Sequence, residues 1–430
     1  MTRSCHHRAT LTLIGLLLAA LACSERFQPE VVSSPRDTAT GSVPTSIVEN
    51  VGGGTAATLW MTREVTTIGT VDGPEPYQFA RIAAVDVDSD GNVYVLDSGH
   101  RRVRKYDRSG QFVIEMGGDG GGPGEFRRPP GGLAFDLGGM TLVGDSSVAV
   151  HDPWKWTLTY FDRDGTFRRE VSLELPAPEL VFARRSRALV DLGAGWLLLH
   201  QVYPFGVGRA TSARDGRHML IRVTTDGQRS DTLITYEQDD VIYRTVDERH
   251  GEFFHRPFAP RSHWAVGPSG RIAFGNGRTF EITIRERNGN PIRRVKSTVQ
   301  AARVTREHIE GFKKAFPFGI GMDSLPPSLR RVATGVLHDL EFPKQWPAFD
   351  DLQYDPAERL WVRRHPLPTD SMAEWDVLDT DLQYLGSILL PNDIVVLKIT
   401  KHRVFSLVRE VDGVEFLRVD ELVPTEAFKP

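Results

Sequence analysis

Two stretches of the sequence decide the fold: residues 90–113, DGNVYVLDSGHRRVRKYDRSGQFV, and residues 145–168, DSSVAVHDPWKWTLTYFDRDGTFR. A constant offset of 55 residues aligns them. The offset matches the alternating valines, the aspartate that follows them, and the turns at 107–110 and 162–165. A repeat of about this length, built of short alternating strands and polar turns, is typical of β-propeller blades.

Four looser copies follow, at residues 196–227, 270–289, 359–390 and 395–419. The last copy contains only three strands before the chain ends. Residues 59–68 form a strand pattern that precedes the first copy and has no partner of its own. Pairing this segment with the last copy would close the ring and remove an exposed sheet edge. The sequence therefore predicts an all-β, six-bladed β-propeller at residues 59–430, closed by an N-terminal strand.

One segment, about residues 303–342, departs from the strand pattern. Apolar residues recur at helical spacing in 304–316, and Thr305 is placed to cap the helix N-terminus. A second helix is expected near residues 326–337. This short helical insertion falls between blades 4 and 5, and it acts either as a brace against the ring or as a lid over its axial opening.

The N-terminus has the composition of an export signal. A basic start is followed by the apolar run at 11–22, and Ala20, Leu21 and Ala22 directly precede Cys23. This ending resembles the lipobox of bacterial lipoproteins, which implies a signal peptide at 1–22 and a lipidated Cys23. An ordinary secretory cleavage site beside a coincidental cysteine is the alternative. Residues 23–58, rich in Ser, Thr, Pro and Gly, are expected to be a disordered tether.

Composition and charge narrow the function. The formal net charge of −4 argues against a nucleic-acid partner, which would need a basic face. The chain has two cysteines, one of them inside the predicted signal peptide, so the exported chain lacks an intramolecular disulfide and a cysteine zinc site. We expect no cofactor and no bound metal, and a monomer in solution.

Two local patterns resemble ligand sites. Residues 86–97 alternate acids around Gly91 as a calcium loop does, but the valines on both sides favour a β-hairpin turn. The glycine run at 117–124 lacks the Gly-Lys-Ser/Thr ending of a phosphate-binding loop, which favours a connection between blades. Asp97 and Arg102 are expected to pair and fix their loop. His151 stands out because its counterpart in the first blade is Leu96, and it is expected to be a buried, hydrogen-bonded histidine, with a ligand on the axis as the alternative.

No pattern of residues identifies catalytic side chains. The candidate ligand-binding residues are aromatic and basic residues in the loops between the second and third strands of each blade, since propeller topology sends those loops to one face and Trp and Arg are common in binding hot spots. They are Arg101, Arg102, Trp154, Trp156, Tyr203, Phe205, Arg363, Arg364 and His365. Packing between blades is the alternative role for this set.

The first two blades resemble the NHL repeat. Residues 97–103, DSGHRRV, are similar to its Asp-x-Gly-Asn-x-Arg-Val core, with His100 in place of Asn, and 117–126 followed by 130–136 resembles its glycine-rich linker. The second blade departs from the repeat at Trp154-Lys155-Trp156. The layout also resembles six-bladed propeller lipoproteins of the bacterial envelope. The resemblance implies that ligands bind on one face or in the axial channel. NHL propellers include RNA binders, protein binders and a zinc lyase, so the family does not select a function.

Two functions are therefore compatible with the sequence. The first is a non-catalytic scaffold of the cell envelope that presents a propeller face to a protein, peptide or glycan from a lipid tether, on the periplasmic or outer-membrane side. The second is a metal-dependent hydrolase or lyase with an active site on the propeller axis.

Overall fold

The computed structural model describes residues 46–50, 57–128, 137–174, 189–202, 217–237, 241–245, 251–316, 327–410 and 413–426. Within these ranges the chain is mainly β-structure, with two α-helices and one 3-10 turn at Glu75–Tyr77. Two strands, β1 (Ser46–Asn50) and β2 (Trp60–Ile68), precede the first complete blade.

The first three blades occupy the N-terminal half of the ring. Blade 1 contains β3 (Ile82–Val87), β4 (Val93–Asp97), β5 (Arg102–Tyr106) and β6 (Phe112–Gly117). Blade 2 contains β7 (Met140–Val143), β8 (Ser147–Asp152), β9 (Thr157–Asp162) and β10 (Phe167–Ser172). Blade 3 contains β11 (Leu189–Gly193), β12 (Trp196–Val202), β13 (Arg217–Thr224) and β14 (Ser230–Glu237), and is followed by a separate hairpin, β15 (Val241–Thr245) and β16 (Gly251–His255).

The remaining blades are interrupted by the two helices. Blade 4 contains β17 (His263–Val266), β18 (Ile272–Gly275), β19 (Glu281–Arg285) and β20 (Pro291–Ser297). The helices α1 (Arg306–Ala315) and α2 (Pro327–Asp339) follow. Blade 5 contains β21 (Phe349–Tyr354), β22 (Leu360–Arg364), β23 (Met372–Leu378) and β24 (Tyr384–Pro391), and blade 6 contains β25 (Val395–Ile399), β26 (Arg403–Arg409) and β27 (Glu415–Pro424).

Apolar packing between consecutive blades closes the six sheets into a ring. Six separate hydrophobic clusters fill the six interfaces, from blades 1 and 2 round to blades 6 and 1. Leu96 and Val150 share the first of these clusters, and Val93 and Val419 share the last. The valines alternate because successive residues of a strand face opposite sides, so each blade packs on both of its neighbours. The predicted six-bladed propeller is confirmed.

The N-terminal strand completes blade 6. Strand β2 pairs antiparallel with β27, from Trp60 opposite Pro424 to Ile68 opposite Leu417. The Trp60 ring also stacks on Trp361 of blade 5, with the ring centroids 5.2 Å apart. The prediction that residues 59–68 close the ring is therefore confirmed, and closure removes the edge that β27 would otherwise expose.

Part of the predicted tether is ordered and belongs to the propeller. Strand β1 adds in parallel to the outer edge of blade 4, with Ser46 opposite Arg293 and Asn50 opposite Ser297. Asn50 is buried and reaches blade 5, where its side-chain amide donates to the carbonyl of Leu382 and its oxygen accepts from the N–H of Tyr384, both at 2.9 Å. An unpaired edge at β20 offers these backbone bonds to any nearby extended segment, which explains the difference from the expected disorder. The predicted signal peptide, Cys23 and residues 24–45 lie outside the described residues.

The helical insertion lies between blades 4 and 5, as predicted. Thr305 caps α1 by accepting from the N–H of His308, whose ring accepts from the N–H of Thr305 in return. Backbone bonds from Trp346 to Ala302 and from Val304 to Lys344 tie the two ends of the insertion together at its base. This firm attachment to the ring favours a brace over a lid.

The acidic stretch at 86–97 is a β-hairpin, as predicted. Asp88 directly follows β3, and its carboxylate accepts from the N–H groups of Asp90 and Asn92, at 3.1 and 2.8 Å. Arg163 of blade 2 donates to the same carboxylate at 2.6 Å. These bonds lower the pKa of Asp88 and outweigh the opposing effect of its burial. The Asp88 carboxylate therefore holds the hairpin turn in place and links it to blade 2.

Candidate functional site

The second strand of each blade ends, and the third begins, at the same end of the propeller, which we call the loop face. The pairing registers place three residues at equivalent positions on this face, where the second strands of blades 1, 2 and 5 end. These residues are Asp97, Asp152 and Arg364, and in blade 3 His200 lies one residue before the corresponding position. All four side chains are polar, so the loop face concentrates groups that could bind a ligand.

In blade 1 the buried carboxylate of Asp97 organises the loop. It accepts from the N–H groups of Ala80 and Arg81 and from the ring Nδ1 of His100, at 2.8 Å. Its guanidinium partner is Arg104, at 3.3 Å, which is itself fully buried. Asp97 therefore fixes the loop as predicted.

The predicted pair between Asp97 and Arg102 is wrong. The two residues are opposite each other in the register of β4 and β5. The Arg102 guanidinium instead extends outward and donates to Glu115 of β6 at 2.7 Å. Arg101, the neighbouring candidate, has a side chain that is only 3% exposed and lies 3.6 Å from the Asp119 carboxylate. In blade 1, the side chains of His100 and Arg102 thus face solvent, at 40% and 35% exposure.

In blade 2 the loop displays two indoles on a fixed backbone. Asp152 is buried and accepts from the N–H groups of Trp154 and Lys155, at 2.8 and 3.2 Å. The Lys155 ammonium donates to two carbonyls of the glycine-rich loop and to the carboxylate of Glu170. Trp154 and Trp156 are both half-buried. The glycine-rich run is thus a connection between blades, as predicted, and carbonyls of this loop hold the lysine that lies between the two indoles in the sequence.

His151 is buried, as predicted, but it is not hydrogen-bonded through its ring. Neither ring nitrogen has a hydrogen-bond partner, and Gly138 packs so close that a Cβ there would lie 2.0 Å from Nδ1. Burial lowers the pKa of His151 to about 4, so its ring is neutral at pH 7. His151 is therefore a buried packing residue of blade 2.

In blade 3 three polar side chains meet at one atom. Nε2 of His200 lies 3.1 Å from Nδ1 of His218 and 2.9 Å from the hydroxyl of Tyr236. Trp264 of blade 4 packs edge-on against the His200 ring. Tyr203 and Phe205, the candidates named from the sequence in this blade, lie outside the described residues. Sequence patterns missed this cluster because residues 203–216 separate His200 from His218 and conceal the strand register.

In blade 5 all three candidates take part in polar contacts. Arg364 donates to Asp376 at 3.0 Å and to Glu374 at 2.7 Å, while Arg363 donates to Asn392. Nδ1 of His365 lies 2.9 Å from the carboxylate of Asp350. These two residues form an Asp–His pair, in which the carboxylate orients the imidazole.

The helical insertion supports this part of the loop face. Trp346, at the base of the insertion, stacks on His365 with the ring centroids 5.2 Å apart. Its indole N–H donates to His308 of α1 at 3.2 Å, and its ring packs against Phe258. The insertion thus holds one wall of the Asp350–His365 pair in place.

The inner strands carry polar side chains toward the opposite end of the axis. Asp86 of β3 bonds to Lys398 of β25 at 2.8 Å and to the N–H of Leu142 at 2.9 Å, so it links three consecutive blades. Thr141 and Gln353, at equivalent register positions, likewise bond to the inner strand of the next blade. These groups are used to join blades. Within the described residues, no three or more His, Cys, Asp or Glu side chains are grouped so that they could hold a metal ion.

Comparisons with known proteins support the fold. No protein-family model and no curated protein sequence matches the chain. A solved structure of a DUF4221 family member from Bacteroides vulgatus superimposes with a TM-score of 0.50 at 11% identity, covering 85% of this chain and 99% of that one. This likeness agrees with the propeller fold. At such low identity it carries no information on function.

Two further structures are similar at lower TM-scores. A putative exported protein from Bacteroides fragilis gives 0.42 at 11% identity, covering 87% of this chain and 99% of that one. Virginiamycin B lyase from Staphylococcus aureus gives 0.40 at 10% identity, with coverage of 85% and 99%.

Neither helix in the described part of the chain has the length and apolar character needed to cross a bilayer.

Proposed function

We propose that this protein is a ligand-binding scaffold of the cell envelope, and that a protein or peptide partner docks on its loop face at the Trp154-Lys155-Trp156 turn. The observation that carries this proposal is a turn that holds two half-buried indoles in fixed positions. The backbone of the turn is hydrogen-bonded to Asp152, and its lysine is hydrogen-bonded to the carbonyl of Gly122. Tryptophan is the side chain most enriched in binding hot spots.

Rigidity strengthens the proposal, because a partner loses less entropy by binding a surface that is already ordered. The Trp154 N–H is held by Asp152, and the Trp156 carbonyl accepts from the N–H of Leu173 at 2.8 Å. The Lys155 charge is already paired with Glu170. The turn therefore offers mainly apolar surface, which favours a partner with apolar or aromatic side chains.

The location in the envelope follows from the N-terminal sequence. Lipidation of Cys23 would anchor the chain, and residues 24–45 would connect that anchor to β1 at the rim of blade 4. We keep the prediction of a monomer. We also keep the prediction of no nucleic-acid partner, since the formal net charge of the chain is −4.

Affinity capture from an envelope extract tests the docking surface. The wild-type chain and the Trp154→Ala variant are compared, with Trp196→Ala as the matched control. Trp196 is also a half-buried indole, but it begins β12 at the opposite end of the propeller and stacks under Arg222.

The expected result is a partner captured by the wild type and by Trp196→Ala, with recovery at least tenfold lower for Trp154→Ala. Equal recovery with all three proteins would place the partner elsewhere. Recovery that is abolished by adding soluble glycan, and not by protease treatment of the extract, would favour a glycan ligand over a protein or peptide.

The Asp350–His365 pair supports a second candidate, a hydrolase or lyase with acid–base chemistry on the loop face. With Nδ1 of His365 donating to Asp350, Nε2 is left as the basic nitrogen, which is the arrangement of a general base. The Asp350–His365 pair lies on the loop face, whereas the metal-dependent active site predicted from the sequence would lie on the propeller axis.

Metal analysis of the dialysed protein tests for the metal-dependent site on the axis. A screen of wild type and His365→Ala for esterase and lyase activity tests the Asp350–His365 pair, and turnover that is lost in the variant would favour the enzyme function.

A further inference from the structure

The His200 cluster of blade 3 presents an unusual proton arrangement. One nitrogen, Nε2 of His200, lies within hydrogen-bond distance of two polar atoms, Nδ1 of His218 and the hydroxyl of Tyr236. A neutral imidazole nitrogen has either one proton or one lone pair. It can therefore make one full hydrogen bond, and the two contacts must share it.

A metal ion resolves this competition, because it accepts a lone pair from each of the three atoms. Two ligands about 2.0–2.1 Å from Zn²⁺, at angles of roughly 90–110°, lie about 2.9–3.4 Å apart. The observed separations of 3.1 Å and 2.9 Å fall in that range. His200 is thus spaced from both His218 and Tyr236 as one ligand of an ion is spaced from two others.

We propose that His200, His218 and Tyr236 form a binding site for a divalent transition-metal ion on the loop face, with two imidazoles and one phenolate as ligands. Imidazole nitrogens suit Zn²⁺ and Cu²⁺, and affinity at such a site follows the order in which Cu²⁺ binds more tightly than Zn²⁺. A phenolate ligand requires that Tyr236 lose its proton to solvent when the ion binds.

Register and packing hold the three ligands in position. His218 of β13 is directly opposite Tyr236 of β14, and His200 lies on the adjoining strand β12. The rings of His200 and His218 are inclined by 26°, and those of His200 and Tyr236 by 12°. Three paired strands therefore fix the site, which makes it more precise than one built on loops.

The surroundings suit an ion with an open coordination position. His218 is buried, whereas His200 and Tyr236 are half-buried. Trp264 and Phe274 of blade 4 form an apolar wall beside the cluster. Water or a ligand atom would occupy the remaining positions.

Equilibrium dialysis of the full chain against Cu²⁺ or Zn²⁺ tests the site, with bound metal measured by mass spectrometry. Wild type is compared with His218→Ala and Tyr236→Phe. The control is His402→Ala, which removes an exposed histidine outside the cluster. Because each variant is compared with wild type, ions bound elsewhere on the chain cancel. Circular dichroism verifies that each variant folds, and Tyr236→Phe keeps the ring and its packing.

The expected result is the loss of one bound ion per chain in His218→Ala and at least tenfold weaker binding in Tyr236→Phe, with His402→Ala unchanged. Cu²⁺ should also quench the fluorescence of Trp264, and the quenching should vanish in a Trp264→Phe variant. Equal stoichiometry and affinity in wild type and His218→Ala would overturn the proposal and leave a hydrogen-bonded cluster only. The outcome is independent of the partner capture at Trp154, which involves a different blade.

Discussion

Arg101 and Trp156 occupy the same turn position in consecutive blades, and both have a left-handed backbone, with φ of 56° and 57°. They are 55 residues apart, the offset of the sequence repeat. Left-handed backbone costs a side chain other than glycine roughly 1–2 kcal/mol. The unfavourable backbone conformation is present in both blades, but the Arg101 side chain is buried whereas Trp156 is half-buried. The turn geometry is therefore a property of the repeat, while the exposed indole is a property of blade 2.

This geometry predicts an unusual order of stability among variants of Trp156. Trp156→Gly should be more stable than Trp156→Ala by about 1 kcal/mol, because glycine adopts positive φ without strain. Both variants lose the same packing of the indole, so their difference isolates the backbone. Urea unfolding of the two proteins measures it.

Trp154 supplies the control, since it lies in the same turn and is not among the described residues with positive φ. There the order should reverse, with Trp154→Ala more stable than Trp154→Gly by several tenths of a kcal/mol. If glycine is the less stable replacement at both positions, the turn at Trp156 is not strained.

Closure of the ring predicts a large effect at one end of the chain. Trp60→Ala should lower the free energy of unfolding by about 3–5 kcal/mol, the usual cost of removing a buried tryptophan. The ring is 3% exposed, stacks on Trp361 and lies under the guanidinium of Arg359. Urea midpoints of wild type and variant give the measurement.

Its neighbour Met61 is the matched control, because it is in the same strand and 61% exposed. Met61→Ala should change the free energy of unfolding by no more than about 0.5 kcal/mol. A small effect at Trp60 would mean that the closing strand adds little to the stability of the ring.

The sequence was sufficient to predict the ring because its information is repeated. Short apolar strands and polar turns recur from blade to blade, so an ambiguous copy can be interpreted from a clearer one. The closing strand was predictable for a topological reason: the sixth copy lacks a strand and residues 59–68 lack a partner. These are properties of pattern, and side-chain geometry is not needed to see them.

Single contacts were less predictable, because they depend on rotamers and on register. Asp97 is opposite Arg102, but its guanidinium partner is Arg104, two residues further along β5. Strand β1 was missed because five residues in a Ser- and Pro-rich region carry no period. The cluster of His200 and His218 was hidden by the long segment between their strands, since that segment prevents the register from being read.

The predicted lipid anchor is tested by Cys23→Ser in the full chain. Wild type should fractionate with membranes and the variant should be released as a soluble exported protein, since acyl chains supply about 0.8 kcal/mol of binding per buried methylene. Fractionation after osmotic shock, with an immunoblot, makes the measurement. If both proteins are soluble, Ala22 precedes an ordinary secretory cleavage site and the cysteine is not modified.

Because of His151, we expect the free energy of unfolding to fall as the pH decreases from about 6.5 to about 4. Its pKa is about 4 in the folded protein, below the ordinary histidine value of 6.5, because burial disfavours the charged ring. The unfolded chain therefore binds more protons between these values, so the stabilising contribution is complete above about pH 6.5 and is lost as the pH falls to about 4. A difference of this size corresponds to up to about 3 kcal/mol.

The matched replacement comes from the repeat itself, since Leu96 occupies the same position in blade 1. His151→Leu should remove this component, so that the free energy of unfolding falls less between pH 7 and pH 5 than in wild type. Leucine has no ring nitrogen to leave without a partner, so the variant should be at least as stable as wild type at pH 7. His402→Gln, at an exposed position, should keep the wild-type slope. An unchanged slope in His151→Leu would show that the ring is protonated or hydrated inside the folded protein, because only a ring that stays neutral couples folding to protons in this direction.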